Sequence, residues 1–569
     1  QSGNSETLQH QSLTVEYTSN PAWYAVQALP YLMEYPYECA EQNWNRYYAN
    51  ALATKILNSA PRIKQIFEKW RTVDTAALQS ALQKNQELKS ALLEETPWVL
   101  DAQNETQQKK NIALLFDLVR MNREAKNTLE KLKNMQSSNG GFVWFKGGPD
   151  DRYITQYIVT GIGHLKKLGV DVAELKSILQ SAIPYLDKKM LHDYNEMLKR
   201  NKNKKLIGRE DLGGLNIQYL YMRSFYADYA IAANTQAAYN FYRGQSVKFW
   251  MKQSLQMQGM IALSLHRAGN KLTPLAILKS LKETSINHEE LGRYWLNNKF
   301  GYSWHWSNAP IETQALMIET FSEITNDVLT VDDLKTWLIK NKQTSNWRTT
   351  KATADACYAM LLQGTNWLQN DPQVKVQLGA VTFSSTEMAT ESGTGYLKKT
   401  IEAKNIQPQM GNVTVIVKQQ EAETSTPNSK PKTQNPSWGA VYWQYFEDMD
   451  KVTTASTPLQ LQKKLFVEKN TDRGPVLTPV NEGTELKVGD KIKVRIELRV
   501  DRDMEYVHMK DLRASAMEPV NVLSGYKWQG GLGYYESTKD ASTNFFFHYL
   551  QKGTYVFEYP LFVQHKGSF

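Results

Sequence analysis

Cysteine is nearly absent: 569 residues hold two, Cys39 and Cys357. That excludes a fold built on disulfides, although the two thiols could still pair with each other. No apolar run reaches the length of a membrane span, and no signal-type segment precedes Gln1. The chain does not start with Met, so it is expected to be a mature product or an excised piece. Histidine is scarce, with nine residues, and His288-Glu289-Glu290 lacks the second histidine of a zinc helix. No glycine-rich phosphate loop opens a helix, so neither metal nor nucleotide chemistry is expected. The net charge is +9, yet 67 basic residues are interspersed with 58 acidic ones and form no tract suited to nucleic acid. Aromatic side chains are abundant instead. Thirty Tyr and fifteen Trp, within a composition that is 41% hydrophobic, indicate a folded protein of several domains with ample core.

Leu13–Tyr17 alternates like a strand. From Pro21 the apolar period becomes helical and stays so to about residue 365. Helices are predicted over Ile63–Trp70, Ala76–Leu93, Asn111–Met121, Ala125–Met135, Tyr153–Leu168 and Val172–Leu198, with further ones beyond. A weak repeat runs through this region, each unit an aromatic loop followed by a helix start rich in small residues: Gly141–Phe145 before Thr155-Gln156, Gly301–Trp306 before Thr313-Gln314, and Asn346–Thr349 before Ala352–Ala354. Repeated helical hairpins cannot bury their faces alone, so an α/α toroid is expected, with an open solenoid as the alternative. Strand patterns return at Val374–Leu378, Val381–Phe383, Tyr396–Glu402, Asn412–Lys418 and Gly439–Phe446, interrupted by a Pro/Ser/Thr-rich loop at Gln420–Ser437. A final all-β segment includes the clean alternation of Lys491–Leu498 and suggests a sandwich. The first strand lies before the helices and its partners after them, so the helical domain reads as an insertion into a β domain. The fold class is thus α plus β: 11–20 the first strand, 21–365 the toroid, 366–464 the rest of the host β domain, and 465–569 the sandwich.

The chemistry concentrates at Tyr35-Pro36-Tyr37-Glu38-Cys39-Ala40-Glu41-Gln42. A thiol and a primary carboxamide three residues apart can meet across one helical turn. If the Cys39 sulfur attacks the Gln42 carboxamide and ammonia leaves, an internal thioester results, and its thiolate is a far better leaving group than an amide nitrogen. Taken alone, Cys39 could equally be a disulfide partner or an inert buried thiol. Glu41 could serve simply as an acid at a helix N-terminus. Tyr35, Tyr37, Trp44, Tyr47 and Tyr48 crowd the motif, either as a shield against water or as ordinary core.

These residues resemble the thioester region of alpha-2-macroglobulins and complement proteins, the bacterial alpha-2-macroglobulin branch most closely. The resemblance rests on the Tyr/Pro-rich approach to Cys39-Ala40-Glu41-Gln42, the Gly140–Trp144 loop, Trp438–Trp443 as a CUB-like closing strand, and Val488–Asp490, Asp503–Val507 and Ala516–Pro519 in a last macroglobulin-like domain. It implies a Cys39–Gln42 thioester, with no other cofactor, that traps proteases by acylating their lysine amines. Ala40 stands where vertebrate members carry glycine. No histidine occupies Lys146–Asp150, where complement members place the one that directs the acyl group to hydroxyls, and His164 reads as structural. Attack by neutral amines is therefore expected, faster as pH rises towards the lysine pKa. Tyr534 or Tyr535, in the aromatic run Gly531–Glu536, is expected to cap the thioester.

The resemblance also implies a single-use trap rather than an enzyme, and a C-terminal fragment without a bait segment that ends one strand early at Phe569. Its partners would be target proteases and upstream macroglobulin-like domains, with no nucleic acid and no membrane insertion. Its setting would be the periplasm or cell envelope, with a lipid anchor ahead of Gln1. The alternatives are a toroid polysaccharide hydrolase or lyase working through paired carboxylates, and a degenerate member that only binds partners.

Overall fold

In a computed structural model, the described residues are 6–21, 23–34, 38–59, 61–72, 118–200, 210–289, 291–296, 309–341, 347, 349–362, 368, 372–418, 437–448, 451 and 457–567. The chain divides into two compact units, one mainly His10–Tyr445 and the other mainly Phe446–Phe569. The first unit opens with β1 (Gln9–Thr18), followed by α1 (Trp23–Gln27), α2 (Leu29–Glu34), α3 (Ala40–Ser59), α4 (Pro61–Thr72) and α5 (Leu118–Lys133). Helix α5 is continuous where the sequence predicts two helices, because no Gly or Pro interrupts Asn122–Glu124. The short pair β2 (Phe142–Val143) and β3 (Asp150–Asp151) leads into α6 (Arg152–Lys167). There follow α7 (Lys176–Arg200), α8 (Gly214–Arg223), α9 (Gln236–Phe249), α10 (Leu255–Arg267), α11 (Leu272–Thr284), the pair β4 (Ile286–His288) and β5 (Gly292–Tyr294), α12 (Pro310–Ile324), α13 (Val328–Lys340) and α14 (Thr350–Leu361).

Helices α3, α6, α8, α10, α12 and α14 each pack on the next, and α14 returns to α3. The others pack outside them, for example α5 on α3, α11 on α10 and α13 on α12. One apolar cluster, with Trp23, Trp44, Trp295 and Trp347 fully buried, fills this body. The repeat now has a physical basis. Phe142 N–H donates to Thr155 Oγ1 (2.8 Å) and Trp347 N–H donates to Thr353 Oγ1 (3.2 Å), so a threonine at each helix start fixes the aromatic loop ahead of it. The middle unit's Gly301–Trp306 loop lies outside the described residues, as do Ala76–Leu93 and most of the Gln420–Ser437 loop.

Two three-stranded sheets carry the helical body. One has the order β10-β1-β8 and the other β7-β6-β9, with β6 (Gln373–Leu378), β7 (Val381–Ser384), β8 (Leu397–Glu402), β9 (Val413–Lys418) and β10 (Trp438–Phe446). Leu13, Val15, Tyr17, Val374, Val376 and Leu397 share their core. Strand β1 pairs antiparallel with β8, Ser12 opposite Glu402 and Tyr17 opposite Leu397, so the helices are inserted between partner strands, as the sequence order predicts.

The second unit is a sandwich that begins at Leu459, ahead of the expected residue 465. A five-stranded sheet, β12-β11-β13-β19-β15, faces a four-stranded one, β14-β18-β17-β16. Its strands are β11 (Leu459–Thr471), β12 (Gly474–Pro479), β13 (Lys491–Val500), β14 (Met504–Leu512), β15 (Met517–Pro519), β16 (Gly525–Gln529), β17 (Leu532–Lys539), β18 (Ser542–Leu550) and β19 (Gly553–Val563). Ile492, Val494, Ile496 and Leu498 of β13 alternate inward. No described helix is long and apolar enough to cross a membrane.

Candidate functional site

Cys39 stands at the N-terminal end of α3, where its carbonyl accepts the Asn43 N–H (3.0 Å), the first bond of the helix. Cys39 is therefore the N-cap residue and Gln42 occupies the third helical position. Gln42 reaches back, and its Oε1 accepts the Cys39 backbone N–H at 3.4 Å. This is half of a capping box, with cysteine where serine or threonine usually sits. The local rule that starts a helix thus bends the carboxamide back to the backbone of the residue that carries the thiol. Neither cysteine forms a disulfide, both are buried, and the Cys357 thiol contacts Ala25 O at 3.3 Å, so the disulfide alternative does not hold. Burial pushes the Cys39 thiol pKa up, and the Glu41 charge adds to the shift, although backbone bonds at Gln42 and Glu41 oppose it.

Ala40 adopts ordinary helical backbone, since Asn326 is the only non-glycine at positive φ among the described residues. The position uses its amide: Ala40 N–H donates to Trp144 O at 2.9 Å, which brings the Gly140–Trp144 loop onto the motif. Trp144 stacks on Tyr153, with ring centroids 6.1 Å apart. Behind the motif, Asn43 Nδ2 donates to Glu38 O (3.1 Å) and Cys39 O (3.2 Å), and Lys131 pairs with the Glu38 carboxylate.

Gly140 sets the path of that loop. Its φ is +95°, and a Cβ there would meet Ser181 O at 2.1 Å. Gly140→Ala is expected to cost about 1–3 kcal/mol and to loosen the first turn of α3. A lower denaturation midpoint is the measurable result.

Glu41 is more than an acid at a helix start. It is held by residues that no local pattern indicates. Its Oε1 accepts from Thr350 Oγ1 (2.6 Å) at the start of α14 and from Asn45 Nδ2 (2.5 Å), and Asn45 Oδ1 in turn accepts from Tyr157 O–H (2.7 Å). The second oxygen, Oε2, lies 4.0 Å from Cys39 Sγ. Burial raises the Glu41 pKa, against the lowering effect of Thr350, Lys351 and Asn45. Thr350 follows the Asn346–Thr349 aromatic unit, and that repeat was the one available hint of it.

The expected shield changes. Tyr35 and Tyr37 lie outside the described residues. Trp44 belongs to the core: five residues on from Cys39 it lies about 140° round the helix, and it packs its indole on Gly161, where a Cβ would come within 2.5 Å of the ring. Tyr47 and Tyr48 are likewise buried, Tyr47 bonding Glu174 at 2.5 Å. Gly531–Glu536 is no loop tip, because Leu532–Lys539 is strand β17 and the turn falls at Gly530-Gly531. Strand alternation sends Tyr534 inward among Phe545, Phe547 and Phe557, which removes it as a cap, and burial pushes its pKa up to about 12. Tyr535 faces the other way, edge-on to Tyr526.

A cavity of about 80 Å³ is lined by residues of α3, α6, α8, α10, α12 and α14. Lys351 lines it and joins Asp355 (2.9 Å) to Glu312 (3.8 Å), so these acids share a cation and do not form a free catalytic pair. His164 is structural, stacked on Tyr358 (3.7 Å) and bonded to Tyr221 (3.0 Å). No group of acidic, His and Cys side chains able to hold a metal occurs among the described residues.

Residues 459–569 match the bacterial alpha-2-macroglobulin MG10 domain. Over 60 residues the chain is 43% identical to the alpha-2-macroglobulin of Thermotoga maritima, a match spanning 10% of this chain and 4% of that protein. Among solved structures, it is similar to native Escherichia coli alpha-2-macroglobulin spanning domain MG7 to the C-terminus (13% identity, TM-score 0.35, 98% of this chain and 73% of that one). It is also similar to Salmonella alpha-2-macroglobulin reacted with methylamine (14% identity, TM-score 0.35, 99% and 30%).

Proposed function

We propose that this chain is a member of the bacterial alpha-2-macroglobulin family, whose MG10 domain residues 459–569 match, and that Cys39 and Gln42 close an internal thioester that captures proteases through their lysine amines. The supporting observation is the half capping box, in which a buried thiol and the carboxamide that bends back to the Cys39 backbone N–H share the first turn of α3. In this reading the ring of helices is the α/α-toroid thioester domain inserted in a CUB-like domain, and the sandwich is the macroglobulin-like domain beyond it. The protein is a single-use inhibitor, not a turnover enzyme. Its partners are target proteases and the upstream macroglobulin-like domains of a longer protein, and its setting is the periplasm or cell envelope.

Intact mass and thiol titration in denaturant, before and after methylamine, test the proposal. The expected result is a mass lower than the sequence by one ammonia, one titratable thiol, which is Cys357, and a second thiol once methylamine is incorporated. Full mass with two thiols and no uptake would overturn it.

A further inference from the structure

Thioester chemistry moves a proton twice. Cys39 must lose one to attack, and the sulfur must regain one when an amine opens the ring. Among the described residues, one carboxylate, Glu41, contacts that sulfur. Glu41 Oε1 is saturated by Thr350 and Asn45, while Oε2 faces Cys39 Sγ at 4.0 Å. The other ionisable groups around Glu41 are Lys351 and Asp355 of α14, already paired with each other at 2.9 Å, and the phenols of Tyr153 and Tyr157 on α6.

We propose that Glu41 is the proton carrier of this site, Oε2 exchanging the proton with Cys39 Sγ, and that Thr350 and Asn45 are positioning residues that fix its other oxygen. The proposal rests on the thioester reading above. In ring closure, Oε2 takes the thiol proton, the S–C bond to Gln42 Cδ forms, the C–N bond breaks, and the departing nitrogen leaves as ammonia with the proton from Glu41. In opening, a neutral amine attacks the same carbon, its proton passes to Oε2 and then to sulfur, and the products are an amide at Gln42 and the Cys39 thiol. Glu41 ends each sequence as it began. The environment suits the task, because burial raises the pKa of the carboxyl and so makes Glu41 a stronger base than an exposed carboxylate. The contact between Thr350 and Glu41 spans 309 residues of sequence, so α14 helps to set the reactivity of the first turn of α3.

The test is methylamine incorporation by the whole chain across pH, followed by intact mass, for wild type, Glu41→Gln, Thr350→Val and Thr350→Ser. Glu41→Gln is expected to react about 10²-fold more slowly per free amine, with a rate that tracks only the free-base fraction. A folded Glu41→Gln protein that retains its full mass also meets the expectation, since closure uses the same transfer. Thr350→Val should fall between wild type and Glu41→Gln, and Thr350→Ser should restore the wild-type pH profile. A Glu41→Gln rate and profile equal to wild type overturns the assignment. If that variant does not fold, the Thr350 pair decides, and equal rates for Val and Ser overturn it. Wild type that neither lacks ammonia nor takes up methylamine instead sinks the thioester reading itself.

Discussion

Cys39→Ser is expected to abolish methylamine incorporation and to restore the ammonia missing from the wild-type mass, while the denaturation midpoint does not fall. The two expectations separate chemistry from architecture. Serine is a better N-cap than cysteine, and with Gln42 three residues on it completes an ordinary capping box, so the start of α3 is held at least as well. The alkoxide is a poor leaving group and the hydroxyl a poor nucleophile towards an amide, so the ring does not close. Gln42→Glu makes the complementary case: the reach back to the Cys39 N–H survives, no ammonia is available to leave, and two thiols titrate. Methylamine uptake by Cys39→Ser at the wild-type rate would place the acyl donor elsewhere in the chain.

The second large effect lies among the inner helices. Glu319 of α12 is buried and accepts from Arg267 of α10 (2.6 Å), Lys167 of α6 (3.2 Å), Tyr358 of α14 (2.7 Å) and Tyr221 of α8. Burial pushes the Glu319 carboxyl up, but Arg267, Lys167 and the phenol bond of Tyr221 outweigh it and hold the pKa at about 2. Arg267→Met leaves Glu319 and Glu323 in a low-dielectric site with one cation fewer, and should cost about 3–5 kcal/mol. In wild type, Glu319 contributes stability above the unfolded carboxylate pKa, and that contribution is lost as pH falls through about 2. His164 acts at higher pH. Burial holds it down to about 4, so the unfolded chain binds its proton first and stability declines from about pH 6.5 towards 4. Chemical denaturation across pH should show both slopes in wild type. In Arg267→Met the carboxylate limb should move to higher pH. An unchanged midpoint and an unchanged acid limb would show that the Arg267 contact carries no stability.

Much of this was legible in the sequence. The Cys-x-x-Gln spacing corresponds to a Gln42 side chain bonded back to the Cys39 N–H, and the strand at Leu13–Tyr17 does find its partner beyond the helices. The alternation of Lys491–Leu498 fixed which side chains turn inward. Failures came where the pattern carried no direction. Tyr534 and Tyr535 are adjacent and chemically alike, so only the pairing of β17 with β16 and β18 tells inner from outer. Trp44 was placed by proximity in sequence, whereas helical geometry turns it to the opposite side from the thiol. Glu41 looked like a helix-start acid because the groups that give it a role, Thr350 and Tyr157, come from other helices.

The insertion has a consequence for the order of folding. The hydroxyls of Thr14 and Thr400 meet at 3.1 Å across 386 residues of chain. Closing so long a loop from the unfolded state is entropically costly, and contacts of this separation form late. Once the helices have collapsed into their own body, the same two strands are brought within easy reach. The β1–β8 pairing is therefore a final clasp. It should form after the helical body and be the first long-range contact to open when the protein is strained.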